Sequence, residues 1–311
     1  MEIGIIGLGK MGGGIIRRLH RADHDPIGYA RSEEDVAQIE AEGIRGARSV
    51  EELAGKQEGP CVFWLMVPSG PVVDSVIDSL RPHLSEGCIV VDGGNSFYKD
   101  SMRRAEELKE HGVHYVDAGV SGGVWGLEGG YCMMVGGPDE AVEYLTPIFE
   151  ALAPGTDKGW GHMGPSGAGH FVKMVHNGIE YGLMQAYAEG FAVMGAKEEF
   201  DLDLEHISNV WQYGSVIRSW LLELTERALK TEGLKLDAIA PHVSDSGMGR
   251  WTAKEALDLN VPAPVLTLSL LQRIESRDDI GFHHRLLAAL RNQFGGHAME
   301  AAQADEDEES A

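Results

Sequence analysis

The chain has 311 residues, 43% of them hydrophobic, and its 26 Lys and Arg against 49 Asp and Glu give a formal net charge of −23. This length can bury a substantial core and predicts about two domains. The strong negative charge argues against a general nucleic-acid or membrane-surface binder, so we expect small molecules and copies of the same chain as partners.

The three cysteines, Cys61, Cys88 and Cys132, stand in apolar runs without CxxC spacing. We therefore expect reduced core thiols, with neither a disulfide framework nor a metal site. The chain opens directly on a β-like run, and no apolar stretch approaches about 18 residues, so neither a signal peptide nor a membrane-spanning helix is predicted. A cytoplasmic protein is the expectation.

The first half of the chain alternates short apolar runs with amphipathic stretches. The predicted strands are 1–6, 26–30, 61–67, 88–91, 114–117 and 131–135, and the predicted helices between them include 13–20, 72–81 and 99–111. Short apolar strands that alternate with helices are typical of a buried parallel sheet. The pattern predicts a Rossmann-like, doubly wound α/β fold that binds ligands at the carboxyl ends of its strands.

The second half has a different rhythm, with long helical patterns and no further convincing strand. The predicted helices are 167–194, 204–212, 217–230, 251–259 and 265–276. Turn residues at 164–167 are typical of a junction between domains. We predict a dinucleotide-binding domain over 1–164, then an all-α substrate and dimerisation domain over 165–311 that ends in an acidic tail, 304–311.

A glycine fingerprint, Gly7-Leu8-Gly9-Lys10-Met11-Gly12, directly follows the first predicted strand and leads into a helix. Glycines there allow a tight turn and a close approach of the backbone to a pyrophosphate, which the helix N-terminus favours. We expect these six residues to bind a nicotinamide dinucleotide, with Val67 at the end of a neighbouring strand also in contact. The alternative is a glycine-rich turn of another α/β protein.

The end of the second predicted strand bears on which nicotinamide cofactor is used. Ala30 stands where an acidic residue would bind the ribose 2′-hydroxyl of NAD, and Arg31 and Ser32 could bind the 2′-phosphate of NADP. NADP is therefore the preferred expectation and NAD the alternative. Arg31 could instead face solvent beside Glu33 and Glu34.

A polar stripe follows in the first long helix of the second half. Lys173, His176, Asn177, Glu180 and Tyr181 are spaced at i, i+3, i+4, i+7 and i+8, which places them on one face. The rest of this helix is apolar, so we expect it to be buried, with the stripe bordering a cavity. A lysine that loses its proton near neutral pH can act as a base, and a nearby glutamate suits a second proton transfer. A solvated stripe is the alternative.

Two further segments put small and polar residues at strand ends. Asp92 to Ser96 follows one predicted strand and Gly119 to Gly123 follows the next. Carboxyl ends of neighbouring strands meet at one edge of a sheet, so these segments are expected where cofactor and substrate meet. Each could be a structural turn if taken alone.

These motifs together, above all Lys173 to Gly182 with the sequence KMVHNGIEYG, resemble 6-phosphogluconate dehydrogenases over nearly the whole chain. The length resembles the short bacterial and archaeal type. The resemblance implies oxidative decarboxylation of 6-phosphogluconate to ribulose 5-phosphate in the pentose phosphate pathway, by a homodimer, with a homotetramer left open. It also implies that Lys173 is the base and that Glu180 is the acid that protonates C1 of the enediol.

The resemblance assigns further residues to the substrate. Those implied to hold its carboxylate and hydroxyls are Asn95, Ser121, Gly122, Gly123, His176 and Asn177. Asn95 is also expected to contact the cofactor, and Tyr181 is implied to contact the phosphate. The segment 245–253 departs from the long-form pattern at Ser246 and Met248, where phosphate-binding residues are expected. Arg273 then becomes the main phosphate cation, and Arg291 and His297 are implied to reach a neighbouring subunit.

Two other functions remain open from the sequence. A β-hydroxyacid dehydrogenase of the 3-hydroxyisobutyrate type would share the nucleotide fold and the lysine, but it would not need phosphate-binding arginines or an acid at Glu180. A nucleotide sensor without catalysis would need neither Lys173 nor Glu180. Turnover of unphosphorylated hydroxy acids would favour the first, and cofactor binding without turnover would favour the second.

Overall fold

The computed structural model describes residues 1–59, 61–278 and 281–295, with only the backbone described at 291, 294 and 295. A single eight-stranded sheet with the order β3-β2-β1-β4-β5-β6-β7-β8 organises the first half. The strands are β1 Glu2–Ile6, β2 Asp25–Tyr29, β3 Arg45–Ala47, β4 Val62–Leu65, β5 Ile89–Asp92, β6 His114–Ser121, β7 Cys132–Gly136 and β8 Trp160–Gly164.

Helices cover both faces of this sheet, as expected for a doubly wound fold. They are α1 Lys10–Arg21, α2 Glu33–Ala41, α3 Val50–Gly55, α4 Pro71–Leu80, α5 Tyr98–Lys109, α6 Gly126–Gly129 and α7 Asp139–Leu152. Two apolar clusters, one on each side of the strands, form the core. The six predicted strands are present, but β3 and β8 were not predicted because β3 has three residues and β8 (WGHMG) lacks an apolar pattern.

The sheet is mixed, although the sequence predicted parallel strands throughout. Strands β2, β1, β4, β5 and β6 run parallel, whereas β7 is antiparallel to β6, with Ser121 opposite Cys132. The connection between them spans only residues 122–131, which is shorter than the dozen or more residues that a crossover needs. The chain therefore turns back beside β6, and the Ser-Gly-Gly segment spans the last residue of β6, Ser121, and the first two residues of this turn.

The second half is helical in the described residues. Its helices are α8 Ala168–Gly195, α9 Leu204–Trp211, α10 Trp220–Glu232, α11 Met248–Asp258, α12 Pro264–Glu275 and α13 Phe282–Gly295. The first five agree with the predicted helices, whereas α13 was not predicted as an element. In the part of the chain that the structure describes, no helix has the length and apolar character to span a bilayer.

The expectation that α8 is buried on all its apolar faces is wrong for the single chain. Ile179 is 50% exposed, Leu183 47% and Met184 41%, whereas Met174 is buried. The reason is that the sheet covers only the first turns of α8, where Gly169 and Lys173 lie against β6 and β7, whereas Ile179 and Leu183 lie further along the helix and face an open cavity beside α10.

The cysteine prediction holds for two of the three residues. Cys61 and Cys88 are buried free thiols, but Cys132 is exposed. Cys132 is the first residue of β7, at the end of the sheet where Ser121 closes β6, so the core does not cover it.

Candidate active site

The turn between β1 and α1 is shaped by two glycines. Gly7 has a φ of +100°, and a Cβ placed on it would collide with the carbonyl oxygen of Met66. A Cβ on Gly12 would collide with the carbonyl oxygen of Gly7. Only glycine fits both positions, and the turn leaves the first amides of α1 open to an anion.

Beside this turn lies a cavity of about 540 Å³. Among the residues predicted to bind a cofactor, its lining includes Gly7, Leu8, Gly9, Arg31, Ser32 and Val67. Lys10, Met11 and Gly12 belong to the start of α1 and do not line it. Asn95 lies on the loop after β5, outside this lining. A groove at the carboxyl ends of β1 and β4 that is bounded by a glycine turn fits an extended dinucleotide.

The first residue after β2 is Ala30, so no carboxylate stands at the end of that strand. Ser32 caps α2, with its Oγ accepting the backbone N–H of Asp35 at 3.2 Å. The hydroxyl hydrogen of Ser32 is therefore free to donate outward. Among the described residues, Arg31 has no hydrogen-bond or ion-pair partner. The wall of the cavity thus offers a cation and a hydroxyl donor.

The loop after β5 is held by a buried carboxylate. Asp92 is fully buried, and its oxygens accept the N–H of Gly94 at 3.0 Å and the hydroxyls of Ser96 and Tyr115, both at 2.7 Å. Arg104 approaches the same carboxylate at 3.4 Å. Sequence reasoning missed Arg104, whose only signal was a basic residue on the apolar side of an amphipathic helix.

Asn95 joins the loop after β5 to the end of β6. It has a φ of +54°, its Oδ1 accepts the N–H of Val120 at 3.0 Å, and its Nδ2 donates to the carbonyl of Val120 at 3.1 Å. Ser121, Gly122 and Gly123 follow Val120 directly. The predicted meeting of these two loops is therefore present, although the Asn95 amide already makes two bonds within the protein.

The polar stripe of α8 is assembled around one imidazole. Nδ1 of His176 lies 3.4 Å from Nζ of Lys173, 3.1 Å from Oδ1 of Asn177 and 3.8 Å from Oε2 of Glu180. The Lys173 residue is only 4% exposed. Its stem packs against Gly119, where any Cβ would collide with the lysine Cβ. A glycine on β6 is therefore what admits the lysine.

The surroundings of Lys173 change its proton affinity. Burial lowers the pKa of Lys173 below its ordinary value, while the nearby Glu180 carboxylate and the Cys132 thiol act in the opposite direction. Burial dominates because water solvates an ammonium better than the protein interior does. The amine is thereby brought closer to serving as a base at moderate pH.

The start of α8 is anchored by a residue that the sequence did not single out. Asp117 on β6 is fully buried, and its carboxylate accepts the N–H of Gly167 at 2.5 Å and that of His170 at 2.7 Å. These are amides at a helix N-terminus, where a negative charge is favourable. Asp117 thus fixes α8, and with it Lys173, relative to the sheet.

Beside the stripe lies a second cavity of about 740 Å³. The lining includes the predicted substrate residues Ser121, Gly122, Gly123 and His176 and the predicted acid Glu180, but not Asn95, Lys173, Asn177 or Tyr181. The opposite wall is apolar and comes from α10, with Trp220, Leu221 and Leu224. The structure therefore brings the Ser-Gly-Gly turn and the lysine helix to one opening.

The residues predicted to bind the substrate phosphate lie around Tyr181. Its hydroxyl accepts the N–H of Ser246 at 3.1 Å, and the guanidinium of Arg273 stacks on its ring at 3.6 Å. Arg273 also donates to the carbonyl of Ser244 at 3.0 Å. Met248 is buried and offers no polar group.

Two other cations lie at this end of the site. Arg250 and Arg277 both pair with the nearly buried carboxylate of Asp245, at 3.1 and 2.7 Å, and Arg277 was missed from the sequence. Arg291 belongs to α13, but its side chain lies outside the described residues. His297 and the acidic tail also lie outside them.

Comparison with known proteins matches both halves of the chain to the same family. Residues 2–164 match the family model described as the NAD binding domain of 6-phosphogluconate dehydrogenase, and residues 169–285 match its C-terminal domain. The NAD(+)-dependent, decarboxylating 6-phosphogluconate dehydrogenase of Haloferax volcanii is 47% identical over 299 residues, covering 96% of this chain and 98% of that protein.

Two further relatives are longer proteins. The NADP(+)-dependent, decarboxylating enzyme of Bacillus subtilis is 38% identical over 88% of this chain and 61% of its own length. The Plasmodium falciparum 6-phosphogluconate dehydrogenase structure, described in apo form and in complexes with NADP+ and with 6-phosphogluconate, superposes with a TM-score of 0.82 at 29% identity, covering 98% of this chain and 67% of that one.

The match of the C-terminal domain separates the chain from the 3-hydroxyisobutyrate alternative, because it is named for 6-phosphogluconate dehydrogenase and includes the lysine helix. The glycine turn, the two joined loops and the stripe on α8 are the structural counterparts of that match. The chain belongs to the 6-phosphogluconate dehydrogenase family.

Proposed function

We propose that this chain oxidises 6-phosphogluconate with a nicotinamide cofactor and releases carbon dioxide to give ribulose 5-phosphate. The observation that carries this proposal is the buried Lys173 amine, held on α8 beside His176 and near the Glu180 carboxylate, with its stem against Gly119 of β6. An amine of lowered pKa beside a carboxylate suits a reaction with two proton transfers.

The glycine turn of β1 and α1 fits the cofactor, because Gly7 and Gly12 permit the tight turn that leaves the first amides of α1 open to a pyrophosphate. Gly7 to Gly12 would hold the pyrophosphate, and Val67 would lie along the dinucleotide. The bound nicotinamide supplies an acceptor for the hydride from C3 of the sugar acid. Side chains of the protein carry out the remaining steps.

Two side chains move the protons. Nζ of Lys173 takes the proton of the substrate's 3-hydroxyl as C3 is oxidised and then assists the loss of carbon dioxide from the 3-keto acid. The Glu180 carboxyl group then protonates C1 of the enediol. Asn95, Ser121, Gly122, Gly123, His176 and Asn177 hold the substrate carboxylate and hydroxyls, and Tyr181 and Arg273 hold the phosphate.

The preference for NADP over NAD remains part of the proposal. Ala30 leaves the ribose 2′ position without a competing carboxylate, and Arg31 and Ser32 line the cavity beside it. A guanidinium and a hydroxyl are suitable donors for a 2′-phosphate. The relatives include both NAD(+)- and NADP(+)-dependent enzymes.

We also propose that the working form is a homodimer, with a homotetramer left open. Ile179, Leu183 and Met184 on α8 form an exposed apolar surface, and Leu287 and Leu290 on α13 are more than half exposed. Apolar surfaces of this kind are typical of subunit contacts. A second copy would cover them and would supply Arg291 and His297 to the phosphate.

The proposed domain boundary falls between residues 164 and 165, where β8 ends shortly before α8 begins. The proposed location is the cytoplasm. Free Cys61 and Cys88 support it: the N–H of Cys61 bonds Sγ of Cys88 at 3.3 Å, and neighbouring thiols stay unlinked most readily in a reducing compartment.

The test is cofactor reduction with 6-phosphogluconate, measured in parallel with NAD and NADP, together with detection of ribulose 5-phosphate and carbon dioxide. We expect turnover with 6-phosphogluconate and none with 3-hydroxyisobutyrate. Lys173→Met should lower turnover by about 10² to 10⁴ without weakening cofactor binding, because it removes the base. A variant that retains more than about a tenth of the turnover would contradict the assignment.

A further inference from the structure

A buried guanidinium joins two segments at the carboxyl edge of the sheet. Arg104 on α5 is 1% exposed. Its Nε and Nη2 donate to the two carboxylate oxygens of Asp74 on α4, at 2.8 and 3.0 Å, and Nη2 also donates to the carbonyl of Gly70 at 3.0 Å. Nη1 donates to Oδ2 of Asp92 at 3.4 Å. Arg104 therefore bonds the start of α4 and the end of β5 at the same time.

The segment at the start of α4 borders the cavity beside the glycine turn of β1 and α1. Residues 66–68, between β4 and Gly70, line that cavity together with residues of α4. Arg104 holds this segment by the carbonyl of Gly70 and the carboxylate of Asp74. A shift of the segment relative to the sheet would change the wall along which a dinucleotide lies.

The loop after β5 lies on the other side of the guanidinium. The Asp92 carboxylate accepts bonds from Gly94 and Ser96, which hold this loop in shape. The amide of Asn95 then bonds the loop to the end of β6. A Cβ on Gly94 would collide with the carbonyl oxygen of Val67, so the loop also lies directly against the segment that precedes α4. A displacement of one segment would therefore be passed to the other.

The form of the contact suits a linking role. A buried charge is unfavourable unless its partners are well placed, and the two-bond fork from Arg104 lowers the pKa of the Asp74 carboxyl group to about 2. A guanidinium is planar and its donors point in fixed directions, so it can hold Asp74 and Asp92 at a set separation. Arg103, its exposed neighbour on α5, also pairs with Asp74, at 2.8 Å. Among the described residues, Arg103 bonds neither Gly70 nor Asp92.

We propose that Arg104 is a positioning residue that fixes the cofactor-lining segment before α4 relative to the loop that carries Asn95. It acts through Gly70 and Asp74 on one side and through Asp92 on the other. The match to an NAD binding domain supports the cofactor side of this role. That the second loop holds 6-phosphogluconate, so that cofactor and sugar acid meet correctly, rests on the proposed function.

The test compares Arg104→Lys and Arg104→Met with the wild type, and Arg103→Met is the matched control. Both Arg104 variants should lower kcat about ten-fold to 10²-fold at saturating substrate and cofactor, because a misplacement of about 1 Å can cost that much in rate. Fluorescence titrations with NADPH and with NADH, without substrate, should show at least about three-fold weaker binding. Arg103→Met should change neither quantity.

Urea unfolding separates a positioning role from a purely structural one. Lysine keeps a cation beside Asp92, so Arg104→Lys should lose less stability than Arg104→Met, but it cannot make the fork and should lose a similar part of kcat. If the Arg104 variants do not fold, Asp74→Asn makes the same comparison at a partly exposed position, with Asp78→Asn on the exposed side of α4 as its control. We expect Asp74→Asn to lower kcat and cofactor affinity and Asp78→Asn to change neither.

Turnover by the wild type is measured first. Its absence would contradict the proposed function, and the cofactor titrations would still decide whether Arg104 positions the cofactor-lining segment. Folded Arg104→Lys protein with the kcat and cofactor affinity of the wild type would overturn the proposal, as would equal losses in Arg103→Met. A fall in stability with unchanged kinetics would overturn it too, because Arg104 would then be a structural ion pair alone.

Discussion

The carboxylate of Glu180 acts on Lys173 as well as on the substrate in the proposed reaction. It raises the pKa of the lysine, against the larger effect of burial. Glu180→Gln removes that charge, so the pKa of Lys173 should fall further. The base is active when deprotonated, that is, above its pKa, so the acid limb of kcat/KM for cofactor reduction should move to lower pH.

The measurement is the pH profile of cofactor reduction for the wild type and Glu180→Gln. Glu189→Gln, which alters an exposed carboxylate further along α8, is the control and should leave the limb in place. A limb that stays fixed in Glu180→Gln, or moves to higher pH, would show that Lys173 is not the group that titrates.

Arg31 carries the proposed choice between the two nicotinamide cofactors. A charge-assisted contact to a 2′-phosphate is worth about 1.5 to 3 kcal/mol, so Arg31→Ala should raise KM for NADP roughly ten-fold or more and leave that for NAD nearly unchanged. Steady-state kinetics with both cofactors measures this. Arg21→Ala, an exposed arginine on α1, is the control. More efficient use of NAD by the wild type would refute the preference.

At the scale of residues, the sequence predicted the site residues whose side-chain type itself indicates a chemical or backbone role. Lys173 and Glu180 stood out because a helical period placed them on one face, and Gly7 and Gly12 because their spacing is typical of a dinucleotide turn. Asp117 and Arg104 could not be predicted, because their importance comes from partners distant in the sequence that meet only in the folded chain. The roles of the predicted site residues stay predictions.

At the scale of elements, the placement of α8 depends on one buried carboxylate. Asp117→Asn keeps the shape but replaces a charged acceptor of two N–H groups with an amide whose NH₂ group would face a donor. We expect a loss of about 1.5 to 3 kcal/mol in the free energy of unfolding and a lower kcat, because Lys173 shifts with the helix.

Urea unfolding followed by circular dichroism gives the stability, and cofactor reduction gives kcat. Asp139→Asn, at the exposed start of α7, is the matched control and should change the free energy of unfolding by less than about 1 kcal/mol. Equal stability of Asp117→Asn and the wild type would mean that α8 is held by its packing alone.

The elements themselves were predicted well where the apolar period was strong. Strands β1, β2, β4 and β5 and helices α8 to α12 were found near their observed bounds. The direction of β7 was missed, because an apolar run looks the same whether its neighbour is parallel or antiparallel. The length of the connection from residue 122 to 131 contained that information, since it is too short for a crossover.

At the scale of the whole molecule, the proposed arm makes activity a property of two chains. Inactive Lys173→Met and Arg291→Ala proteins, mixed under conditions of subunit exchange, should regain cofactor reduction. One site of each mixed dimer then combines an intact Lys173 with an intact Arg291 from the other chain. Recovered turnover is the measurement, with exchange demonstrated separately.

The control for this experiment replaces the Arg291→Ala protein with a Lys173→Met/Arg291→Ala double variant, which cannot restore any site. If the single variants exchange subunits but remain inactive together, the arm serves its own chain or no site. Full activity of Arg291→Ala alone would also rule out the role proposed for that residue.

The paired hydrogen bonds between Asn95 and Val120 have a mechanical consequence. The amide of Asn95 imitates a peptide group, so the two loops are joined as if by one more rung of the sheet. Thermal fluctuations of the loop after β5 and of the Ser-Gly-Gly turn should therefore be correlated. The two segments, which face the proposed hydride donor and acceptor, would then move in the same direction. The distance between them would therefore fluctuate less than the position of either segment.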